Sequence, residues 1–179
     1  EVTKDILPDQ KIDCVVYGCT SGTIAAGYNS IEKKIKLAKP EAKITTPSTA
    51  AISALKKLNI KKVSIFTPYL KNLNDEVVEF FKKENFVVTS NSYFGIESDI
   101  DIGKVDQDYL YEVLSKIELN DAEALFISCT ALPALKILDQ LENKIKKTVF
   151  SSNQTLIWDS IRSVGYKEPV SGYGKLFRN

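Results

Sequence analysis

Short apolar segments and longer amphipathic segments alternate six times along this chain. The apolar segments are rich in β-branched and aromatic residues, which is typical of buried parallel strands. The amphipathic segments place apolar residues three or four positions apart, which predicts helices. Because consecutive parallel strands need crossover helices, and these cover both faces of a sheet, the order predicts an α/β protein.

The predicted elements group into two lobes of similar topology. Two βαβ units each begin with a strand that ends in Cys-Thr, which is a weak internal repeat. We expect a first lobe over residues 1–105, a second-lobe unit over 106–165, and a C-terminal segment, 166–179, that packs back on the body. The predicted strands are 13–18, 43–46, 62–68, 86–93, 124–129 and 148–152, and the predicted helices are 22–38, 48–58, 72–84, 106–118, 133–144 and 153–164.

The composition excludes several classes of chemistry and of partner. The chain has no histidine, so it cannot form a Ser-His-Asp or Cys-His nucleophile arrangement or a histidine-containing zinc site. Acid–base chemistry must therefore use Cys, Asp, Glu, Lys or Tyr. A net charge of +1 argues against nucleic acid as a partner. No apolar segment reaches the length of a membrane span, and the polar N-terminus lacks a signal-peptide core, so a cytoplasmic location is expected.

Three cysteines are present, and they are too few and too unevenly spaced for a disulfide framework or a four-thiolate metal site. Cys14 lies inside a predicted strand and is expected in the core. Cys19 and Cys129 each follow a strand at the expected start of a helix. Unpaired N–H groups and the helix dipole there predict a lowered thiol pKa. A buried packing role is the alternative for both.

Hydroxyl groups follow several of the predicted strands, at the end of a parallel sheet where ligands bind. Thr20 and Ser21 follow the first cysteine motif, and Thr130 follows the second. With nearby N–H groups, these hydroxyls could hold a carboxylate. Tyr69 follows another strand and is either a donor aimed into the same cleft or a loop aromatic.

The acidic stretch 97–108 lacks calcium-loop spacing and is interpreted as a solvated loop.

Four motifs occur in order between residues 13 and 165, each at the end of a predicted strand. Together they resemble the aspartate/glutamate racemase superfamily. Within that superfamily, the resemblance is to the branch of maleate cis-trans isomerases, arylmalonate decarboxylases and ectoine-utilisation EutA-like proteins. The motifs are Tyr17–Thr23, Thr67–Tyr69, Ser128–Leu132, and Ser151–Gln154 with Trp158.

The resemblance implies two pseudo-symmetric lobes with a cofactor-free site between them and no metal. Cys19 and Cys129 would be the catalytic pair, one facing each side of a small carboxylate substrate. The positions that bind carboxylate oxygens in this family are matched by Thr20, Ser21, Tyr69 and Thr130. Family members begin with an upstream strand–helix segment that this sequence lacks. Because the chain also has no methionine, we expect that a segment precedes it in the full protein.

The function implied is that of an isomerase or racemase acting through two thiols on a small dicarboxylate or amino-acid-like acid. Two alternatives stay open. The first is a decarboxylase or lyase of malonate-type acids that uses Cys129 alone. The second is a carboxylate-binding module without catalytic activity. A homodimer is the ordinary expectation for such folds.

Overall fold

All six predicted strands are present in the computed structural model, which describes residues 2–179. Each strand is short and is followed by a helix, which confirms the α/β class. All strand pairs in the described residues are parallel. The strands are β1 (Cys14–Val16), β2 (Lys43–Thr45), β3 (Lys62–Thr67), β4 (Val87–Tyr93), β5 (Ala124–Ile127) and β6 (Thr148–Ser151).

Most helices overlap the predicted ranges, whereas two short helices, Val2–Asp5 and Asp99–Gly103, were not predicted. The segment predicted as one helix over 22–38 is divided at Gly27, whose φ of 76° lies in the left-handed region that glycine tolerates. None of the helices in residues 2–179 has the length and apolar content that a membrane span requires. The helices are α1 (Val2–Asp5), α2 (Thr20–Ala26), α3 (Tyr28–Lys36), α4 (Pro47–Lys57), α5 (Lys71–Lys83), α6 (Asp99–Gly103), α7 (Gln107–Ser115), α8 (Leu138–Ile145) and α9 (Ser152–Ser163), with 3₁₀ turns at Leu135–Ile137 and Lys175–Arg178.

The strands form two separate sheets. β1 and β2 form a two-stranded sheet, and the other four form a sheet in the order β4-β3-β5-β6. The division between sheets therefore falls between residues 45 and 62, earlier than the lobe division expected at residue 105. The reason is the pairing of β3 with β5, which joins strands from both sides of residue 105. Strand alternation alone does not specify which strands become neighbours.

The larger sheet is built around a core of buried aromatic and aliphatic side chains. β5 is buried throughout, and Phe126 at its centre has no exposed surface. The ring of Phe81 in α5 lies 5.0 Å from that of Phe126, centroid to centroid. The two-stranded sheet has a smaller core of its own, formed by Val15, Ile31, Ile35 and Ala42. Close packing of both cores fixes the ends of the strands, where the candidate site lies.

Helix α9 connects the two sheets. It follows β6 of the larger sheet and packs against α4, β1 and β2. The Asp159 carboxylate of α9 accepts a hydrogen bond from the Thr45 hydroxyl of β2. Trp158 on the same helix is 6% exposed, so its ring packs in the protein interior. At the chain end, Leu176 and Phe177 are buried against the body.

Candidate functional site

Cys19 occupies the start of helix α2, as predicted. It is the N-cap residue of that helix, and its Sγ accepts a hydrogen bond from the N–H of Gly22 at 3.2 Å. The same sulfur lies 3.7 Å from the Ser21 hydroxyl oxygen. The side chain is partly exposed. These contacts place the sulfur beside one backbone N–H donor and one hydroxyl group.

Cys129 lies in a different environment from the one predicted. The chain after it is not helical until Leu135, so its sulfur is not at a helix start. Pro133 contributes to this, because proline lacks an N–H and disfavours helical geometry in the preceding residue. Cys129 is 5% exposed and adopts a φ of 85°. A left-handed backbone is uncommon for a residue other than glycine and recurs at functional sites.

The pKa of the Cys129 thiol is raised rather than lowered. Burial is the largest cause, because it disfavours the charged thiolate. The Tyr69 hydroxyl and the N–H groups of Ala131 and Leu132 act in the opposite direction but do not reverse the shift. The prediction of a lowered pKa for this thiol was therefore wrong. Burial therefore favours the protonated form of Cys129.

The segments that carry the two cysteines contact each other across the two sheets. The Thr130 hydroxyl donates a hydrogen bond to the carbonyl oxygen of Gly18 at 2.8 Å. The side-chain amide of Asn153 donates to the carbonyl oxygen of Thr130 at 2.9 Å. The residue before Cys19 therefore contacts the residue after Cys129. The fold brings the two strand ends together, although they are far apart in sequence.

Tyr69 lies beside the Cys129 thiol. It is 5% exposed, and its pKa is raised mainly by burial and then by the neighbouring Cys129, with a smaller contribution from Cys19. The Tyr69 side chain therefore contacts Cys129, whereas Cys19 acts on it only through longer-range electrostatics. Cys14 lies elsewhere, at the opposite end of β1, next to Ser163 of α9. It is only partly buried, so the expectation of a core position for Cys14 holds only in part.

A cavity of about 260 Å³ lies at this end of the sheets. Its volume suits a small organic acid. Neither cysteine is among the lining residues, but each contacts one of them: Cys19 contacts Ser21, and Cys129 contacts Tyr69. The lining residues are Ser21, Tyr69, Leu70, Asn72, Leu73, Ile96, Glu97 and Asp99.

The two predicted threonines do not line the cavity. Thr20 is 3% exposed, and its hydroxyl donates to the Ser152 hydroxyl oxygen at 3.1 Å. Its carbonyl oxygen accepts a hydrogen bond from Ser48. The hydroxyl of Thr130 is likewise bonded within the protein, to Gly18. Of the four predicted carboxylate-binding residues, the structure brings Ser21 and Tyr69 to the cavity and uses Thr20 and Thr130 to join neighbouring segments.

Two acidic residues at the cavity were not predicted. Glu97 and Asp99 follow β4 and lie within the stretch interpreted as a solvated loop. The sequence feature that could have identified them as site residues is their position directly after a strand, because strand ends were expected to carry the site. Residues 2–179 contain no cluster of three or more Cys, Asp or Glu side chains arranged to hold a metal ion.

Gly22 offers a way to disturb the Cys19 side chain without replacing it. A Cβ at this position would lie 2.7 Å from the Tyr17 hydroxyl oxygen and 2.9 Å from the Cys19 sulfur, so both side chains would have to move. We expect Gly22→Ala to lower turnover by about tenfold or more, since small displacements of reacting groups are costly. Gly18→Ala is the matched control, because a Cβ there meets nothing within 4 Å. Equal kcat values for the two variants would contradict a role for the Cys19 position.

The fold and the site together define a class of protein. It is an α/β protein in which each of two parallel sheets presents a cysteine near its end, beside a small cavity. The model of the family described as arylmalonate decarboxylase matches residues 25–177 of this chain. The chain belongs to that family, which confirms the resemblance inferred from the four motifs.

Individual relatives extend the comparison. A maleate isomerase of Geobacillus stearothermophilus is 24% identical over 178 residues, covering 95% of this chain and 71% of the relative. An arylmalonate decarboxylase of Bordetella bronchiseptica is 28% identical over 136 residues, covering 74% of this chain and 57% of the relative. A mutant of the Nocardia farcinica maleate cis-trans isomerase, solved with a covalently bound succinylcysteine intermediate, has the same fold. Its TM-score is 0.88 at 19% identity, over 94% of this chain and 72% of that one.

Proposed function

We propose that this protein is a cofactor-independent isomerase or racemase of a small carboxylate, with Cys19 and Cys129 as its catalytic thiols. The observation that carries the proposal is the hydrogen bond between Thr130 and Gly18, which joins the two cysteine-bearing segments beside one cavity. The maleate isomerase relatives support it. The succinylcysteine in the Nocardia farcinica enzyme supports a covalent role for a thiol in this fold.

The two thiols have different environments and so suit different roles. The Cys19 sulfur accepts a hydrogen bond and is partly exposed, which favours it as the base or nucleophile. Burial keeps Cys129 protonated, which favours it as the acid. In racemisation, Cys19 removes the proton from the carbon next to the carboxylate, and Cys129 delivers a proton to the opposite face. The configuration inverts, and the thiolate passes from one cysteine to the other.

Cis-trans isomerisation would use the same pair in a different order. The Cys19 thiolate adds to one carbon of the double bond, and Cys129 protonates the other carbon, leaving a single bond that can rotate. Removal of that proton and departure of the Cys19 thiolate then restore the double bond. Both reactions need the carboxylate held in place. Ser21 and Tyr69 are the hydroxyl donors that line the cavity for this purpose.

A decarboxylase is the second candidate. The family match and the Bordetella bronchiseptica relative favour it. In that reaction, loss of carbon dioxide leaves a carbanion, and a single protonated thiol completes the reaction by supplying a proton. Cys129 is suited to that step because it is buried and protonated. Cys19 would then be dispensable, which separates the two candidates.

The test is turnover on a panel of small acids followed by NMR in D₂O. The panel contains cis-alkenoic mono- and dicarboxylates, single enantiomers of 2-substituted acids, and phenylmalonate. We expect either cis-trans conversion or deuterium uptake next to the carboxylate with inversion. Carbon dioxide release from phenylmalonate without either of these would favour the decarboxylase. No reaction with any member would contradict the proposal.

A further inference from the structure

Ser128 carries a buried hydroxyl group next to Cys129, the proposed acid. The residue has no exposed surface, and its Oγ completes no hydrogen bond within residues 2–179. An unpartnered hydroxyl in the interior costs free energy of folding, so most buried polar groups have a partner. Gln154 Oε1 and Trp158 Nε1 in α9 share this feature. Of these three atoms, the Ser128 oxygen is the one that belongs to the neighbour of a proposed catalytic residue.

The parallel pairing of β3 with β5 brings Ser128 and Tyr69 to the same end of the larger sheet. Ile127, the last residue of β5, pairs with Phe66 of β3, and the N–H of Ser128 donates to the carbonyl oxygen of Phe66 at 2.8 Å. Ser128 and Tyr69 therefore follow adjacent strands, and both side chains are buried there. The Ser128 hydroxyl is near enough to act on the Tyr69 oxygen as a hydrogen-bond donor.

We propose that Ser128 is a positioning residue, whose hydroxyl donates to the Tyr69 oxygen and directs the Tyr69 O–H at the Cys129 sulfur once that sulfur has lost its proton. The inference rests on the proposed role of Cys129 as the acid, which the isomerase, the racemase and the decarboxylase share. In each reaction the S–H bond breaks as a C–H bond forms on the substrate, and the electron pair of the S–H bond stays on the sulfur. A thiolate is then left in a buried position.

A thiolate at this position needs hydrogen-bond donors, because burial disfavours a charged group. The donors that act on the Cys129 sulfur are the Tyr69 hydroxyl and the N–H groups of Ala131 and Leu132, and the negative charge of Asp99 opposes them. The backbone fixes the two N–H groups, whereas the Tyr69 O–H can rotate about its C–O bond. A further donor to the Tyr69 oxygen restricts this rotation. It also strengthens the bond that Tyr69 donates, because hydrogen bonds in a chain polarise one another.

Tyr69 would then serve two acceptors at different stages of the reaction, since it has a single O–H. While Cys129 is protonated, this O–H is free to donate to the substrate carboxylate. After proton transfer, the nearby thiolate becomes a charged acceptor for it. The Ser128 hydroxyl therefore gains its partner only as the charge develops on the sulfur. An interaction made only at that stage lowers the barrier to reaction and does not strengthen substrate binding.

Filling space in the core is the competing role for Ser128, and Ser64 is the matched control. Ser64 is a serine of the same sheet without exposed surface, but its hydroxyl is bonded to that of Ser90 at 2.8 Å, and it does not line the cavity. Ser64→Ala removes a formed hydrogen bond and should lower the unfolding midpoint by about 2–4 °C. Ser128→Ala should not lower it, because it removes a hydroxyl that has no partner within residues 2–179.

The experiment follows the ionisation of Cys129 by NMR in the variant C14S/C19S, in which it is the only cysteine. The Cβ of cysteine is labelled with carbon-13, and its chemical shift distinguishes thiol from thiolate between about pH 7 and 10.5. We expect S128A to lower the acid dissociation constant of Cys129 about fivefold, and Y69F to lower it further. Adding S128A to Y69F should change the constant by less than about 1.5-fold, because the two residues act in series. S64A should leave it unchanged.

Steady-state kinetics gives a second readout, which a packing role would not produce. With a substrate from the acid panel, S128A should lower kcat about fivefold and change KM by less than about twofold. Y69F should change both parameters, since Tyr69 also lines the cavity. A rise in KM with an unchanged kcat in S128A would overturn the inference, because Ser128 would then contribute to substrate binding.

The titration separates this inference from the proposed function. An unchanged Cys129 titration in S128A overturns the inference, and so does a shift that persists in Y69F or that S64A reproduces. The absence of any thiolate up to about pH 10.5 with Ser128 and Tyr69 both present also overturns it, because the donors would then fail to stabilise the charged sulfur. None of these outcomes affects the proposed function, which fails instead if no acid of the panel reacts.

The fold of each variant is checked by circular dichroism at each pH. Should C14S/C19S not fold, the titration uses the protein with all three cysteines. The Cys129 signal is then assigned by its loss in Cys129→Ser.

Discussion

Cys129→Ser is expected to lower turnover by about a thousandfold or more while leaving the fold intact. A serine hydroxyl holds its proton far more tightly than a thiol does, so it cannot replace Cys129 as the acid. Serine is close to cysteine in size, so the buried position beside Tyr69 remains filled. The measurements are kcat for the reaction identified with the acid panel and the thermal unfolding midpoint of the variant.

Cys14→Ser is the matched control for this prediction. Cys14 lies at the opposite end of β1 from Cys19, next to Ser163, and does not border the cavity. We expect this variant to keep kcat within about twofold of the wild type, because substitutions distant from a site usually have small effects. If Cys129→Ser kept more than a tenth of the wild-type kcat, Cys129 would not be the acid, whichever of the two candidate reactions occurs.

Cys19→Ser is expected to abolish isomerisation or racemisation to a similar extent, about a thousandfold, because both reactions need a base or nucleophile at this position. The fold should be retained, since serine can also accept the N–H hydrogen bond of Gly22 that now reaches the sulfur. The variant is assayed for both isomerisation and carbon dioxide release. We expect the Cys19→Ser variant to lose isomerisation activity. We expect the wild-type protein to release no carbon dioxide.

The Cys19 variant also separates the two candidate functions. A decarboxylase that uses Cys129 alone would keep most of its activity in Cys19→Ser and lose it in Cys129→Ser. Full isomerase activity in Cys19→Ser would contradict the two-thiol mechanism directly. The pair of variants therefore distinguishes one working thiol from two, with Cys14→Ser as the common control.

The strands and helices were predictable because their signals are local. Six apolar segments in regular alternation with amphipathic ones specify the α/β class, and the structure has all six strands. The pairing of β3 with β5 was not predictable in this way. It depends on how buried side chains such as Phe66 and Phe126 pack across the sheet, and periodicity within one strand carries no information about its neighbours.

In the candidate site too, some features follow from local sequence and others depend on contacts between distant residues. The position of Cys19 as a helix cap follows from residues within one turn of it, so the sequence predicts it well. The raised pKa of Cys129 depends on burial by residues distant in sequence, Tyr69 among them. The Thr20 hydroxyl is likewise bonded to Ser152, 132 positions away. Such contacts arise only when the two sheets meet, and no local pattern encodes them.

The most direct test of the two-thiol site is a crystal structure of the protein with an unreactive small carboxylate bound. We predict that the sulfurs of Cys19 and Cys129 lie on opposite faces of one ligand carbon, each about 3.5 Å from it. Ser21 and Tyr69 should contact the ligand carboxylate. A ligand bound in the cavity without contact to the Cys129 sulfur would contradict the proposed mechanism.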